Sequence, residues 1–175
     1  MEWSEFFEWL MDRESREVTN DPRDPGGQTA WGISRRYWPL WEGWALVDNS
    51  ITSGPQFEQT VRDFYWANYG ALWVLAPVRV RAVLVDTAVN MGKLYAGQLM
   101  QYSLCRLAQS DYVDIDGVLG PQTREALRHA DHSGLAFTMC ALRQAEYNRR
   151  ARRDPDKRVF LSGWLNRVGA LMEVL

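Results

Sequence analysis

The sequence reads as a mainly α-helical chain with one small loop or β insert just after its first helix. Three features point there. Most of the chain carries apolar residues at the three- and four-residue spacing of amphipathic helices. The strongest breakers, two prolines and a Gly-Gly pair, are gathered between residues 19 and 29. Only "TAWGIS", residues 29–34, offers a short strand or extended segment.

Taken in order, Trp3, Phe6, Phe7, Leu10 and Met11 form one helical face, and the next step along that stripe lands on Glu14. A carboxylate in line with the buried face, at the helix's last turn, is the first anomaly. Asn20-Asp21-Pro22 and Asp24-Pro25-Gly26-Gly27 then impose a stiff loop. Residues 54–70 return to helix with Phe57, Val61, Phe64 and Tyr65 on one side. Residues 77–92 give an apolar helix with Gly92 as its C-terminal cap, and 93–109 give another. "SDYVDIDGVLGP" interrupts, and helical patterns resume over 122–130, 134–153 and 159–175. With no internal repeat and no linker, the 175 residues read as a single compact unit, long enough to bury a real core.

Composition narrows the function. The net charge of −2 gives no overall field for nucleic acid or an anionic membrane. The run 143–158 holds seven basic against three acidic residues, yet only Tyr147 interleaves it, so it reads as a solvated helix face rather than a stacking platform. No stretch reaches the ~20 apolar residues of a membrane span. The acidic start "MEWSEFFEWLMDRE" lacks the basic head and apolar run of a secretory signal, so the expectation is a soluble protein of the cytoplasm where it is made. Cys105 and Cys140 lie within apolar helical patterns and read as buried thiols; with His129 and His132 they form no metal-site spacing. No metal and no cofactor is implied.

The segment "ESREVTNDPRDPGGQTAWGIS", residues 14–34, carries the chemistry. Cleaving a glycosidic bond takes a carboxylic acid that protonates the leaving oxygen and a second carboxylate that positions water or stabilises charge at the anomeric carbon. Glu14, on the apolar stripe beside a polar loop, suits the first task; Asp24, held by Pro25-Gly26-Gly27, suits the second. Thr29 can hold water, and Gly26 and Gly27 let backbone approach a sugar closely. The same residues also read as a solvated helix end and as turn or N-cap acids, and spacing alone leaves both readings open. Trp31, Trp38, Trp41 and Trp44 crowd the next stretch, where indoles serve a saccharide cleft or cap a core. Asp86 and Asn90, at i and i+4, form a polar pair on an apolar helix, either lining a groove or buried and satisfied.

"NDPRDPGGQTAWGIS" resembles the signature of glycoside hydrolase family 108, lysozyme-like N-acetylmuramidases found in phage endolysins. Asn20, Asp21, Pro22, Asp24, Gly26, Gly27, Thr29, Gly32 and Ile33 match it in register. The family's leading E-G-G-Y, whose Glu is the catalytic acid, is replaced here by "ESREV". An ungapped alignment puts Ser15 at that position; a one-residue insertion puts Glu14 there, and Glu17 is the rival acid, with Asp21 as the alternative second carboxylate. "LVDTAVNMG", "DIDGVLGPQTREAL" and "FLSGWLNRV" resemble the family's F-D-x-A-V-N-x-G helix, the D-G-x-x-G-P-x-T element of a peptidoglycan-binding region, and its closing G-W-x-x-R segment.

The resemblance implies a lysozyme-like, two-lobed helical domain with a groove. Residues 1–92 would be the catalytic part and 93–175 a helical part resembling a peptidoglycan-binding region. It implies hydrolysis of the β-1,4 bond between N-acetylmuramic acid and N-acetylglucosamine. Glu14 would be the general acid, Asp24 and Thr29 its partners, and Gly26, Gly27, Trp31, Asp86 and Asn90 would bind substrate. The expected partner is cell-wall peptidoglycan, met by a monomer after holin-type release. The alternative is a non-catalytic peptidoglycan-binding protein on the same scaffold.

Overall fold

The computed structural model describes residues 1–20 and 27–175. Among the described residues it contains eight α-helices and one three-stranded antiparallel sheet, placed after the first helix. The chain is mainly α with a small β insert. It divides into two compact units: residues 2–71, and residues 72–175 together with Met1.

In the first unit α1 (Trp3–Glu14) opens with a capping box, the Glu2 backbone N–H donating to Glu5 at 2.8 Å. Its stripe of Phe6, Phe7, Leu10 and Met11 is fully buried. The helix stops at Ser15, whose φ of 73° turns the chain out of the helical path. Three two-residue strands follow: β1 (Val18–Thr19), β2 (Thr29–Ala30) and β3 (Ile33–Ser34), with Val18 opposite Ala30 and Ala30 opposite Ile33. "TAWGIS" is therefore a hairpin rather than one extended segment, and part of the expected loop supplies its third strand. A short α2 (Gly43–Asp48) leads to α3 (Pro55–Leu75), which buries the expected face of Phe57, Val61, Phe64 and Tyr65. Trp41 meets Trp44, Phe57 and Phe64 edge-on at centroid distances of 5.0, 6.0 and 5.8 Å. Such contacts add about 0.5–1.5 kcal/mol each beyond the area they bury.

The second unit is built on α4 (Val78–Met91), α5 (Lys93–Ala108), α6 (Pro121–His129), α7 (His132–Arg153) and α8 (Arg158–Glu173). Eight of the fourteen residues of α4 are buried, Asp86 among them. That carboxylate accepts from Arg143 at 2.6 Å through Oδ2 and from Arg167 at 2.6 and 2.8 Å through Oδ1. Arg143 is itself fully buried and also donates to Tyr147 Oη at 3.0 Å and Thr87 Oγ1 at 3.3 Å. With the Asn90 amide oxygen turned toward Arg167, that oxygen accepts from Nε at 2.9 Å. The helix around Asp86 and the closing segment around Arg167 are thus joined across 81 positions of sequence.

"DGVLGPQT" is held against α5 by Gln101. The Gln101 amide nitrogen lies 2.7 Å from Asp116 Oδ1 and 3.0 Å from the Val118 carbonyl, and its oxygen accepts from Gly117 N–H at 2.7 Å. Gly97 makes this approach possible: a β-carbon there would lie 2.2 Å from the Gly117 carbonyl oxygen. Pro121 then starts α6 at its first turn. Cys105 and Cys140 are buried and unpaired, and burial pushes the Cys140 thiol up to about 11. Most of the basic run is spent internally. Arg143 serves Asp86, Arg149 and Arg150 flank Glu146 at 2.6 and 2.8 Å, and Lys157 pairs with Asp154 at 2.9 Å.

Two outcomes follow from these ion pairs. Asp86→Ala strands a buried guanidinium and is expected to lower unfolding free energy by about 3–5 kcal/mol in urea titration. Charge-assisted bonds, that from Arg149 first and then that from Arg150, hold the Glu146 carboxyl down at about 2, well below its ordinary 4.5. A depressed pKa contributes stability above the unfolded value that is lost as pH falls through the folded one. The stability gap between wild type and Glu146→Gln should therefore be full above pH 4.5 and close by about pH 2 in urea titrations across that range.

Candidate active site

The first unit assembles a carboxylate, a turn and two phenols in one place. Glu14 is the last residue of α1 and is half-buried. Facing it is the tip of the β2–β3 hairpin, a two-residue loop of Trp31 (φ 47°) and Gly32 (φ 79°). Positive φ at both central residues is the signature of the type I′ turn that matches strand twist. A β-carbon at Gly32 would lie 2.7 Å from the Tyr65 hydroxyl oxygen and 2.9 Å from Glu14 Oε2. Glycine is thus required twice over, by conformation and by space.

The non-glycine half of the turn is held from both sides. Trp31 N–H donates to the Glu17 carbonyl at 3.0 Å, and the Tyr65 hydroxyl donates to the Trp31 carbonyl at 2.9 Å. Its indole is buried edge-on against Phe57 at 5.7 Å, with the Arg16 guanidinium 5.3 Å from its centroid. Tyr69, stacked near Tyr65 at 6.0 Å, has its hydroxyl pKa raised, first by burial and then by the negative charge of Glu14. The Tyr69 phenol therefore lies within electrostatic reach of the Glu14 carboxylate.

The other expected site residues fall as follows. Glu17 is exposed and contributes its backbone to the sheet. Thr29 donates its hydroxyl to the Gly27 carbonyl at 3.3 Å, and Gly27 adopts φ 67° with open space where a β-carbon would stand. Asp21, Asp24 and Gly26 lie outside the described residues. Asp86 is fully buried in the second unit within its two-arginine clamp, and Asn90 is exposed beside Arg167. Among the described residues no group of three His, Cys, Asp or Glu could hold a metal ion, and no helix is long and apolar enough to cross a membrane.

Sequence reasoning missed Tyr65 and Tyr69 as neighbours of Glu14. Tyr65 sits on the apolar stripe of α3 and reads as core, which it also is; the hydroxyl was the unread signal. Arg143 carried no signal of its own, being one arginine in a basic helix.

Gly32→Ala should cost about 1–2 kcal/mol from left-handed backbone alone, with further loss from the close contacts. Tyr65→Phe leaves the Trp31 carbonyl without its donor and should cost about 1–3 kcal/mol. Urea titration of both variants checks the pair, and wild-type stability in either would refute this account of the turn.

Comparison with known proteins identifies two domains and the fold. Residues 7–92 match the family described as Glycosyl hydrolase 108, and residues 95–169 match the Predicted Peptidoglycan domain. The chain is similar in fold to the solved structure of Brucella abortus SagA, with a TM-score of 0.71 and 24% identity over 97% of this chain and 91% of that one. No curated protein matches the chain. Residues 7–92 are thus a glycosyl hydrolase 108 domain with the peptidoglycan domain behind it, and the chain is a glycoside hydrolase acting on peptidoglycan.

Proposed function

We propose that this hydrolase is an N-acetylmuramidase, cleaving the β-1,4 bond between N-acetylmuramic acid and N-acetylglucosamine with Glu14 as general acid. One observation carries the choice of acid. Glu14 is the half-buried carboxylate at the end of the α1 stripe, packed where Gly32 and Tyr65 meet, while Glu17 is exposed. A general acid works best on a rigid element in a site that limits water. Glu14 gives its proton to the glycosidic oxygen as the C–O bond breaks. A second carboxylate, for which Asp24 with Thr29 as its hydroxyl partner is the candidate, positions the water that adds to the anomeric carbon and takes its proton, or stabilises the positive charge that develops there. Asp21 is the alternative.

Gly26 and Gly27 offer backbone to the sugar, and Trp31 shapes the turn from beneath. Asp86 orients Arg167, and Asn90 with Arg167 presents a polar edge to glycan. Residues 1–92 would do the chemistry and 93–175 would hold the wall. The protein would act as a monomer of the phage endolysin type, reaching the wall after holin-type release.

A second reading, a non-catalytic wall-binding protein, rests on "ESREV" standing where the family carries E-G-G-Y. One experiment separates them: turbidity loss of purified, outer-membrane-stripped walls, with mass spectrometry of the released fragments. Wild type is expected to free fragments with reducing muramic acid ends. Glu14→Gln should lose about 10²–10⁴-fold in rate, and Glu17→Gln should stay close to wild type. Binding without release would overturn catalysis; a dead Glu17→Gln would overturn the choice of acid.

A further inference from the structure

Residues 37–41, "YWPLW", put two large apolar side chains of the first unit into solvent. Leu40 is 96% and Tyr37 72% exposed. Folding gains nothing from a leucine left in water, and the stretch is too well tied to be slack. Tyr37 and Trp38 N–H both donate to the Ser34 carbonyl at 3.2 and 2.9 Å, and the Trp38 carbonyl accepts from Trp44 Nε1 at 2.7 Å. The Trp38 ring stands edge-on to Phe64 at 5.0 Å. Between this stretch and α3 lies a pocket of ≈ 350 Å³ whose lining includes Tyr37, Trp38, Leu40, Phe64 and Asn68. Ligand pockets run from about 300 to 1,000 Å³, so this one suits a single ring rather than a helix.

We infer that this pocket is a sugar subsite that takes an N-acetylglucosamine unit of the glycan. The inference rests on the proposed muramidase reading. No charged side chain lines the pocket, which favours the unsubstituted neutral ring over muramic acid, whose lactyl group carries a carboxylate or the stem peptide. Aromatic faces take the apolar C–H face of a pyranose. One N–H of Asn68 donates to the Phe64 carbonyl at 2.9 Å, which fixes the amide and leaves its oxygen to accept from an acetamido N–H. Leu40 is placed to cover the acetamido methyl. The pocket also adjoins the candidate acid through one helix: Phe64 packs edge-on to Tyr65 at 5.4 Å, and Tyr65 touches the Gly32–Glu14 corner. Pocket and candidate acid are thus served by the same helix, α3, through neighbouring residues.

The test is intrinsic-fluorescence titration of the full chain carrying Glu14→Gln, using the β-1,4 tetramer of N-acetylglucosamine and, as control, the glucose tetramer that lacks acetamido groups. Saturable quenching by the acetylated tetramer is expected, with the glucose tetramer at least tenfold weaker. Tyr37→Ala and Leu40→Ser, both at exposed positions, should each weaken binding about tenfold without changing Tm. Asn68→Ala should bring the two tetramers close to equal affinity. In the otherwise wild-type chain these three changes should raise KM on walls more than they lower kcat. Unchanged affinity and KM in Tyr37→Ala and Leu40→Ser would overturn the subsite even if wall hydrolysis depends on Glu14. Discriminating binding with no fragment release by wild type would keep the subsite and overturn the muramidase reading.

Discussion

Everything in the first unit depends on how closely backbone can approach the end of α1. At Gly32 the hairpin tip comes so near Glu14 and the Tyr65 hydroxyl that no β-carbon fits, and the backbone there adopts a conformation that side chains resist. The cost of that turn falls on Trp31, a bulky residue at positive φ. Such strain persists only where the surroundings over-determine it. Here the Glu17 carbonyl, the Tyr65 hydroxyl and the Phe57 ring each hold Trp31 from a different side. The result is a carboxylate whose position is set by three elements, α1, the hairpin and α3, rather than by its own rotamer alone.

The second unit solves a different problem. Burying Asp86 and Arg143 completely is expensive in desolvation, and a well-packed apolar pair would be at least as stable. What the ionic arrangement adds is direction. Two guanidinium groups from separate helices must converge on one carboxylate, which fixes how α7 and α8 sit on α4. It also leaves Arg167 oriented beside Asn90 at the edge of the cluster.

Much of this was legible in the sequence, because the signals were periodic. The stripe Phe6–Phe7–Leu10–Met11 and the face Phe57–Val61–Phe64–Tyr65 are buried as spacing required, and Gly92 caps α4. The hairpin was not legible. Its turn uses Trp-Gly where the recognisable signal is Asn-Gly, so "TAWGIS" read as one extended piece. Asp86 was readable as anomalous but not as buried or exposed, because its partners Arg143 and Arg167 lie 57 and 81 residues away. Long-range polar pairing leaves no local pattern; apolar periodicity does.

The β1–β2 pairing bears directly on the acidic loop. Thr19 stands opposite Thr29 and Val18 opposite Ala30, so the chain leaves for the loop and returns from it at one neck. That neck is fastened by the Glu17–Trp31 bond, to the same residue whose carbonyl Tyr65 holds and whose neighbour Gly32 abuts Glu14. Loops carry chemistry well when a rigid scaffold fixes their ends. A perturbation of the Trp31-Gly32 turn would therefore reach both the helix-borne carboxylate and the base of the loop. Glu14 and the two described ends of the acidic segment thus share one point of mechanical support, which is how strands of two residues each can matter more to the first unit than their size suggests.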